Sequence, residues 1–239
     1  MKYAGSLLVA LALTPLACGD TGRERVEIPL AVQGSAARDV GVQGGTLRLQ
    51  EAQVMIGPLY LCATASAESE LCEIALGEQL APLAVDALDA SVVESGQLAA
   101  TTGEVRSAFF DYGISWLLTK PAPGPLPDAP LSHSALLRFT ARADDGSELE
   151  VDAAIDVSPV ARGDAAVNGR KTEQRISRGP LTLTLRFDAN QWLTRVDLAE
   201  LRALDDDGDG RVSLPADSQP YEAILQGMTA RFPPAFVWD

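Results

Sequence analysis

Histidine is all but missing: His133 is the one imidazole in 239 residues. A site built from two histidines of this chain is therefore excluded, and with it the His-Glu-x-x-His zinc motif. Lysine is nearly as scarce, at Lys2, Lys120 and Lys171, so almost all of the 19 basic residues are arginine, set against 33 acidic ones for a formal net charge of −14. Nucleic-acid binding needs clustered Lys and Arg facing phosphates, so the balance argues against it. It argues equally against docking of the folded domain on an anionic lipid surface. No apolar run reaches the roughly 20 residues that a transmembrane helix requires. No Walker loop and no Gly-rich dinucleotide fingerprint occurs. At 46% hydrophobic and 22% charged residues the chain is nonetheless of ordinary globular composition.

What is present begins with a leader. After Met1-Lys2-Tyr3 comes a short apolar run over residues 7–13, then Pro15-Leu16-Ala17-Cys18-Gly19-Asp20. One positive charge, a short apolar stretch and small residues before a break form the layout of a secretory signal peptide. Leu16-Ala17-Cys18 resembles the lipobox of bacterial lipoproteins, with Pro15 standing where Leu is most usual. The resemblance implies that residues 1–17 are removed, that Cys18 becomes the first mature residue and carries the lipid, and that the membrane is the anchor. No Asp directly follows Cys18, which by the same resemblance favours the outer membrane. Residues 18–24 then read as a tether.

Setting Cys18 aside leaves Cys62 and Cys72. An even pair in an exported chain reads as one disulfide in an oxidising compartment. The intervening residues 63–71 are small and polar, as in a hairpin loop, and closing such a loop contributes about 2–3 kcal/mol. The competing reading is a thiol metal site, for which two cysteines without a supporting histidine are a poor ligand set.

Residues 25–190 are dominated by an alternation of period two, the mark of strands with one buried face. It runs through Val26, Ile28, Leu30 and Val32, through Leu47 to Leu61 with a break at Gly57-Pro58, through 104–116, and through Leu181, Leu183, Leu185 and Phe187. Two further runs, 136–143 and 149–157, flank Asp144-Asp145-Gly146-Ser147, a strong hairpin signal. Residues 74–103 read as loops and short strands, the five prolines between 121 and 130 as an exposed connection, and 161–179 as a surface loop. Helices do not alternate with strands, so a parallel α/β sheet is not expected. The expected fold is mainly β, an antiparallel β-sandwich (Ig-like or jelly-roll-like) with a short C-terminal helix-loop-helix element over 191–239 packed on the same domain.

In that element the period changes. Leu193, Val196, Leu198, Leu201 and Leu204 lie at helical spacing, and Asp197 with Glu200 forms a capping-box-like start. Tyr221, Ile224, Leu225 and Met228 give a second amphipathic helix over 219–232. Between them, Asp205 to Ser213 resembles the Asp-x-Asp-x-Asp-Gly core of EF-hands and of dockerin-type calcium repeats. The resemblance implies calcium ligands at Asp205, Asp207 and Asp209 (positions one, three and five), the carbonyl of Arg211 at seven, and a water held by Ser213 at nine. Gly210 supplies the sharp turn and Val212 the apolar eighth position. At position twelve, where the family has an acidic residue, this chain has Ala216, with Asp217 one residue late. A single loop pins a helical tail; it does not work as a paired sensor.

Catalytic patterns are sparse. Gly113-Ile114-Ser115-Trp116 holds half of a nucleophile elbow, but Leu117 replaces the second Gly, and His133 would be the only imidazole base for Ser115. Trp116, Trp192 and Trp238 could line a sugar platform but read first as packing residues, and the aromatic terminus 232–239 reads as a last edge segment. The expected function is therefore that of a lipid-anchored binding or structural protein of the cell envelope, calcium-stabilised and without catalysis, whose partner is an envelope protein or ligand. Two alternatives stand. In layout the chain is similar to methanobactin-associated periplasmic copper proteins, with His133 and Met55 as the available ligands. The other is a hydrolase working through Asp and Glu.

Overall fold

A computed structural model describes residues 22–65, 72, 74–115, 124–125, 129–157 and 167–239. Cys18, Trp116 and most of the proline-rich stretch lie outside them. The first alternating run forms β1 (Arg25–Gln33), with Ile28, Leu30 and Val32 buried. The second forms β3 (Gly45–Ile56), paired to β2 (Asp39–Val42), and continues into β4 (Leu59–Cys62) after the break at Gly57-Pro58, a cis peptide. β5 (Ala75–Gln79), β6 (Leu83–Asp86) and β7 (Val92–Thr101) follow. β7 is longer than its sequence suggests. Gly96 interrupts its alternation and only Leu98 and Ala100 are buried, so its length comes from antiparallel pairing along all of β1.

β8 (Gly103–Phe110) carries the aromatic run, and a two-residue ladder joins β9 (Ile114–Ser115) to β10 (Gly124–Pro125). The Asp-Gly hairpin is present as β11 (Ala135–Ala143) and β12 (Glu148–Ile155). β13 (Val167–Ile176) overturns the surface loop expected over 161–179. It lies at the edge of its sheet. Thr172 and Ile176 point inward while Lys171, Glu173 and Arg175 are exposed, so the stretch looked like a loop because only two of those side chains meet the core. The chain closes with β14 (Leu183–Arg186), a 3₁₀ turn over Ala189–Leu193, α1 (Leu198–Arg202), β15 (Arg211–Ser213), α2 (Gln219–Gln226), which runs on into a π-type turn over Gly227–Arg231, and β16 (Ala235–Trp238).

The strands form an eight-stranded sheet, β13-β8-β4-β5-β7-β1-β14-β16, and a second sheet, β15-β12-β11-β3-β2, with β6 also on β3. Their inner faces share one core that includes Leu30, Leu47, Phe110, Phe139 and Leu185. The molecule is thus the mainly β sandwich with a short C-terminal helical part that the alternation predicts. Among the described residues two strand pairings are parallel, β1 with β14 and β12 with β15, so the sheets are not purely antiparallel. The Trp238 indole N–H donates to the Thr172 hydroxyl across 2.7 Å. That bond draws the outer edges β16 and β13 together and curls the large sheet toward a barrel. No helix among the described residues is long and apolar enough to cross a membrane.

Cys62 and Cys72 are joined, with Cα atoms 5.3 Å apart. Cys62 packs with Phe109, and both are buried in a small cluster separate from the main core, flanked by Tyr60. A disulfide fits an oxidising compartment.

A polar knot ties the chain after β1 to the 3₁₀ turn. Asn190 is fully buried; its amide donates to Ser35 Oγ (3.0 Å) and to the Ala36 carbonyl (3.1 Å), and its oxygen accepts from Arg38 N–H (3.1 Å). Asp188 accepts from Arg38 Nη2 (2.8 Å) and from Ser35 Oγ (3.1 Å). Desolvation pushes the Asp188 carboxyl up, but the bonds from Arg38, Asn190 and Ser35 outweigh it and hold the group below its ordinary value. A carboxyl depressed in the folded state adds stability above its unfolded value, near 3.9, and loses it as pH falls through the folded value. Urea unfolding followed downward from pH 5 should show this loss, and Asp188→Asn should flatten that part of the profile.

Candidate metal centre

The aspartate loop is built from its flanks. Asp197 caps α1, its Oδ1 accepting from the N–H groups of Ala199 (2.8 Å) and Glu200 (3.4 Å), as the Asp-Glu spacing predicts. Leu198 and Leu201 are buried on the inner side of this short helix. α1 has five residues because the preceding residues leave helical geometry: the 3₁₀ turn ends at Leu193 and Asp197 is extended. The helix expected from Leu193 is thus split. The guanidinium of Arg202, at the end of α1, bonds to Asp145 Oδ1 (3.2 Å) and to the Ser147 hydroxyl, fastening the loop to the β11–β12 hairpin.

On the other side the loop runs into β15, which adds in parallel to β12 with Val212 opposite Val151. Glu150 N–H donates to the Gly210 carbonyl (2.9 Å) and Leu214 N–H to that of Asp152 (2.8 Å). The apolar eighth position therefore finds its pairing on a sheet edge of the same domain, with Val212 only 5% exposed. Gly210 has φ +78°, the left-handed conformation that the sharp turn at position six requires.

Within this frame one carboxylate oxygen from each of Asp205, Asp207 and Asp209 lies within 4.8 Å of the others. The backbone shapes the cluster: Asp205 Oδ2 accepts from Gly210 N–H (3.3 Å), Asp207 Oδ1 from Asp209 N–H (3.3 Å), and Asp209 Oδ1 from Arg211 N–H (2.8 Å). Asp205 Oδ1 is buried with no hydrogen-bond partner. A buried acceptor left without a donor costs about 1–3 kcal/mol. Three anions at this separation repel by roughly 1 kcal/mol per pair in water and roughly 3–4 at the effective dielectric near a protein surface. A cation between the three groups would offset their repulsion, and the donor set, hard oxygens only, fits a metal ion.

The other residues implied by the EF-hand resemblance lie outside this group of three carboxylates. Arg211 and Ser213 lie on β15 with exposed side chains. Asp217 stands outside the group of three. The Pro215 carbonyl accepts from Ser218 N–H (3.1 Å) and from its hydroxyl (2.6 Å), and this turn carries the chain into α2, capped by Ser218. Sequence reasoning missed Arg202, Asp145 and Ser147, since the hairpin that they tie down lies more than fifty residues upstream.

His133 was the sole imidazole to place. Its Nδ1 lies 3.1 Å from both oxygens of Asp156, whose backbone N–H donates to the Tyr221 hydroxyl (2.8 Å) on α2. Met55 is fully buried, its side chain filling the space beside Gly113. Trp192 is core, Trp238 is half-buried, and β9 holds Ser115 in a short ladder. The platform of three tryptophans cannot be traced because Trp116 lies outside the described residues.

No protein-family model matches this chain, and no curated protein does. Among solved structures it is similar to MbnP from Methylosinus trichosporium, at 13% identity over 90% of this chain and 98% of that one, with a TM-score of 0.40. The two chains are of similar extent, and the identity is far below that at which side-chain roles transfer.

Proposed function

We propose that this chain is an exported envelope protein, anchored by lipid on Cys18, whose aspartate loop binds calcium to fasten the helical tail, and which binds or scaffolds an envelope partner without catalysis. The observation that carries the calcium reading is the convergence of Asp205, Asp207 and Asp209, with Asp205 Oδ1 buried and without a partner. The carboxylates of these three residues would hold the ion, with the Arg211 carbonyl and a water at Ser213 completing the shell. Calcium takes six to eight oxygens, and a loop without its acidic twelfth residue belongs to the weak class, with Kd about 10⁻⁴–10⁻³ M, which is sufficient outside the cytosol. The ion would neutralise the loop between α1, tied by Arg202 to the hairpin, and β15, tied to β12. The disulfide supports an exported location.

Calcium at tenfold its Kd stabilises by about 1.4 kcal/mol, so the melting temperature should rise by about 3–6 °C over that in chelator. In Asp205→Ala the calcium response should vanish, while stability in chelator should be unchanged or higher because repulsion is relieved. An unchanged melting curve in calcium sinks the reading.

A second reading, periplasmic copper handling of the methanobactin-associated type, is favoured by the His133–Asp156 pair. A carboxylate on Nδ1 orients an imidazole and leaves Nε2 as donor, the arrangement common around metal-bound histidines. Met55 could join only if the core opened. Copper titration followed by tryptophan fluorescence should give quenching that His133→Ala abolishes; quenching that survives in that variant removes this reading.

A further inference from the structure

The first residues of β1, the β7–β8 turn and the end of β13 form one end of the eight-stranded sheet. Arg25 pairs with Thr101, Thr102 N–H donates to the Glu24 carbonyl (2.8 Å), and Arg175 and Ile176 pair with Glu104 and Gly103. Arginine collects there. Arg23, Arg175 and Arg178 line a shallow depression of about 480 Å³, and Arg106 and Arg175 an adjoining one of about 640 Å³. Arg178 pairs with Glu24, whereas Arg175 reaches Glu104 only at 3.9 Å. Among the described residues, Arg23, Arg25 and Arg106 have no ion pair. With Lys171 the end carries six cationic side chains against Glu24, Glu27, Glu78, Glu104 and Glu173, a net of +1 on a chain of formal charge −14. The aspartate loop belongs to the edge of the other sheet.

This is also the end at which the chain arrives from Cys18. Four residues lie between Cys18 and Arg23, a span of at most about 18 Å over five steps of the chain. Electrostatic influence in physiological salt falls off over about 8 Å, so the charge nearest the bilayer, and not the net charge of the chain, governs how the body meets it. We infer that the arginine-bearing end of the eight-stranded sheet docks on the anionic phospholipid headgroups of the bilayer that holds the anchor, so that the anchored body stands in one orientation. The inference rests on the proposed lipid at Cys18. It reverses, for this end alone, the expectation from net charge.

The test is amide hydrogen exchange of the lipid-bearing mature chain in vesicles of phosphatidylcholine, with and without phosphatidylglycerol. Exchange over residues 101–104 and 175–178 should be about fivefold slower in the anionic vesicles, the residence that a net of one surface charge confers. The slowing should vanish in high salt and in Arg23→Gln/Arg106→Gln/Arg175→Gln, and residues 205–213 should be unaffected. Equal exchange in the two vesicle types overturns the docking and leaves the anchor standing. Intact mass reads the anchor separately: an unmodified Cys18 removes both.

Discussion

Trp192→Ala should lower the melting temperature by about 6–20 °C. The indole is 1% exposed and sits where three elements meet. Its ring packs edge-on against Phe187 at 6.3 Å, its N–H donates to the Phe232 carbonyl across 3.0 Å, and its backbone lies against Gly227. Truncating a buried tryptophan costs about 3–5 kcal/mol, and each kcal/mol is worth about 2–4 °C in a chain of this size. The loss should fall first on the helical tail, because Trp192 is the contact that holds the end of the π-type turn. Thermal unfolding followed by far-ultraviolet circular dichroism checks this, and a loss below about 1 kcal/mol would show that the tail does not depend on the indole. Gly227→Ala approaches the same joint from the other side. A Cβ there would stand 2.9 Å from the Trp192 Cα, so backbone must move, at about 1–3 kcal/mol.

Removing the disulfide is the second large effect. Cys62→Ala/Cys72→Ala should cost about 2–3 kcal/mol, the loop-closure entropy returned to the unfolded chain by a crosslink of sequence separation 10. The staple joins the end of β4 to the residues before β5, and Phe109 and Tyr60 pack beside it at a ring separation of 5.1 Å. These groups form a cluster apart from the main core. The variant should therefore keep its sandwich and unfold cooperatively at lower urea, with local exchange rising at β4 and β5. A urea midpoint unchanged from the parent would mean that the crosslink adds nothing to the folded state.

The calcium reading divides the candidate site from the frame around it. The three converging aspartates and the turn glycine were legible as a local pattern, since positions one, three, five and six of such a loop lie within six residues. Asp217 stands outside that group of three, where the turn at Pro215 leads into α2. The ties that hold the loop were not legible. Arg202 finds Asp145 and Ser147, and Val212 finds Val151, only because a hairpin formed far upstream stands at the sheet edge. His133 is a parallel case, with Asp156 and Tyr221 brought to it from two other elements.

The sequence by itself determined the strands with a buried face every second residue, the Asp-Gly hairpin, the capped helix starts and the acidic loop, because each is decided by contacts within a few residues. The partner of each strand was decided only by tertiary structure. β13 and β7 bury too few apolar side chains to announce themselves and exist as strands because neighbours offer them a ladder. The parallel pairings of β14 and β15 and the bond that draws the outer edges together through Trp238 and Thr172 join residues far apart in the chain. Period and propensity act locally, whereas burying one core between two sheets is settled only when the whole chain has closed around it.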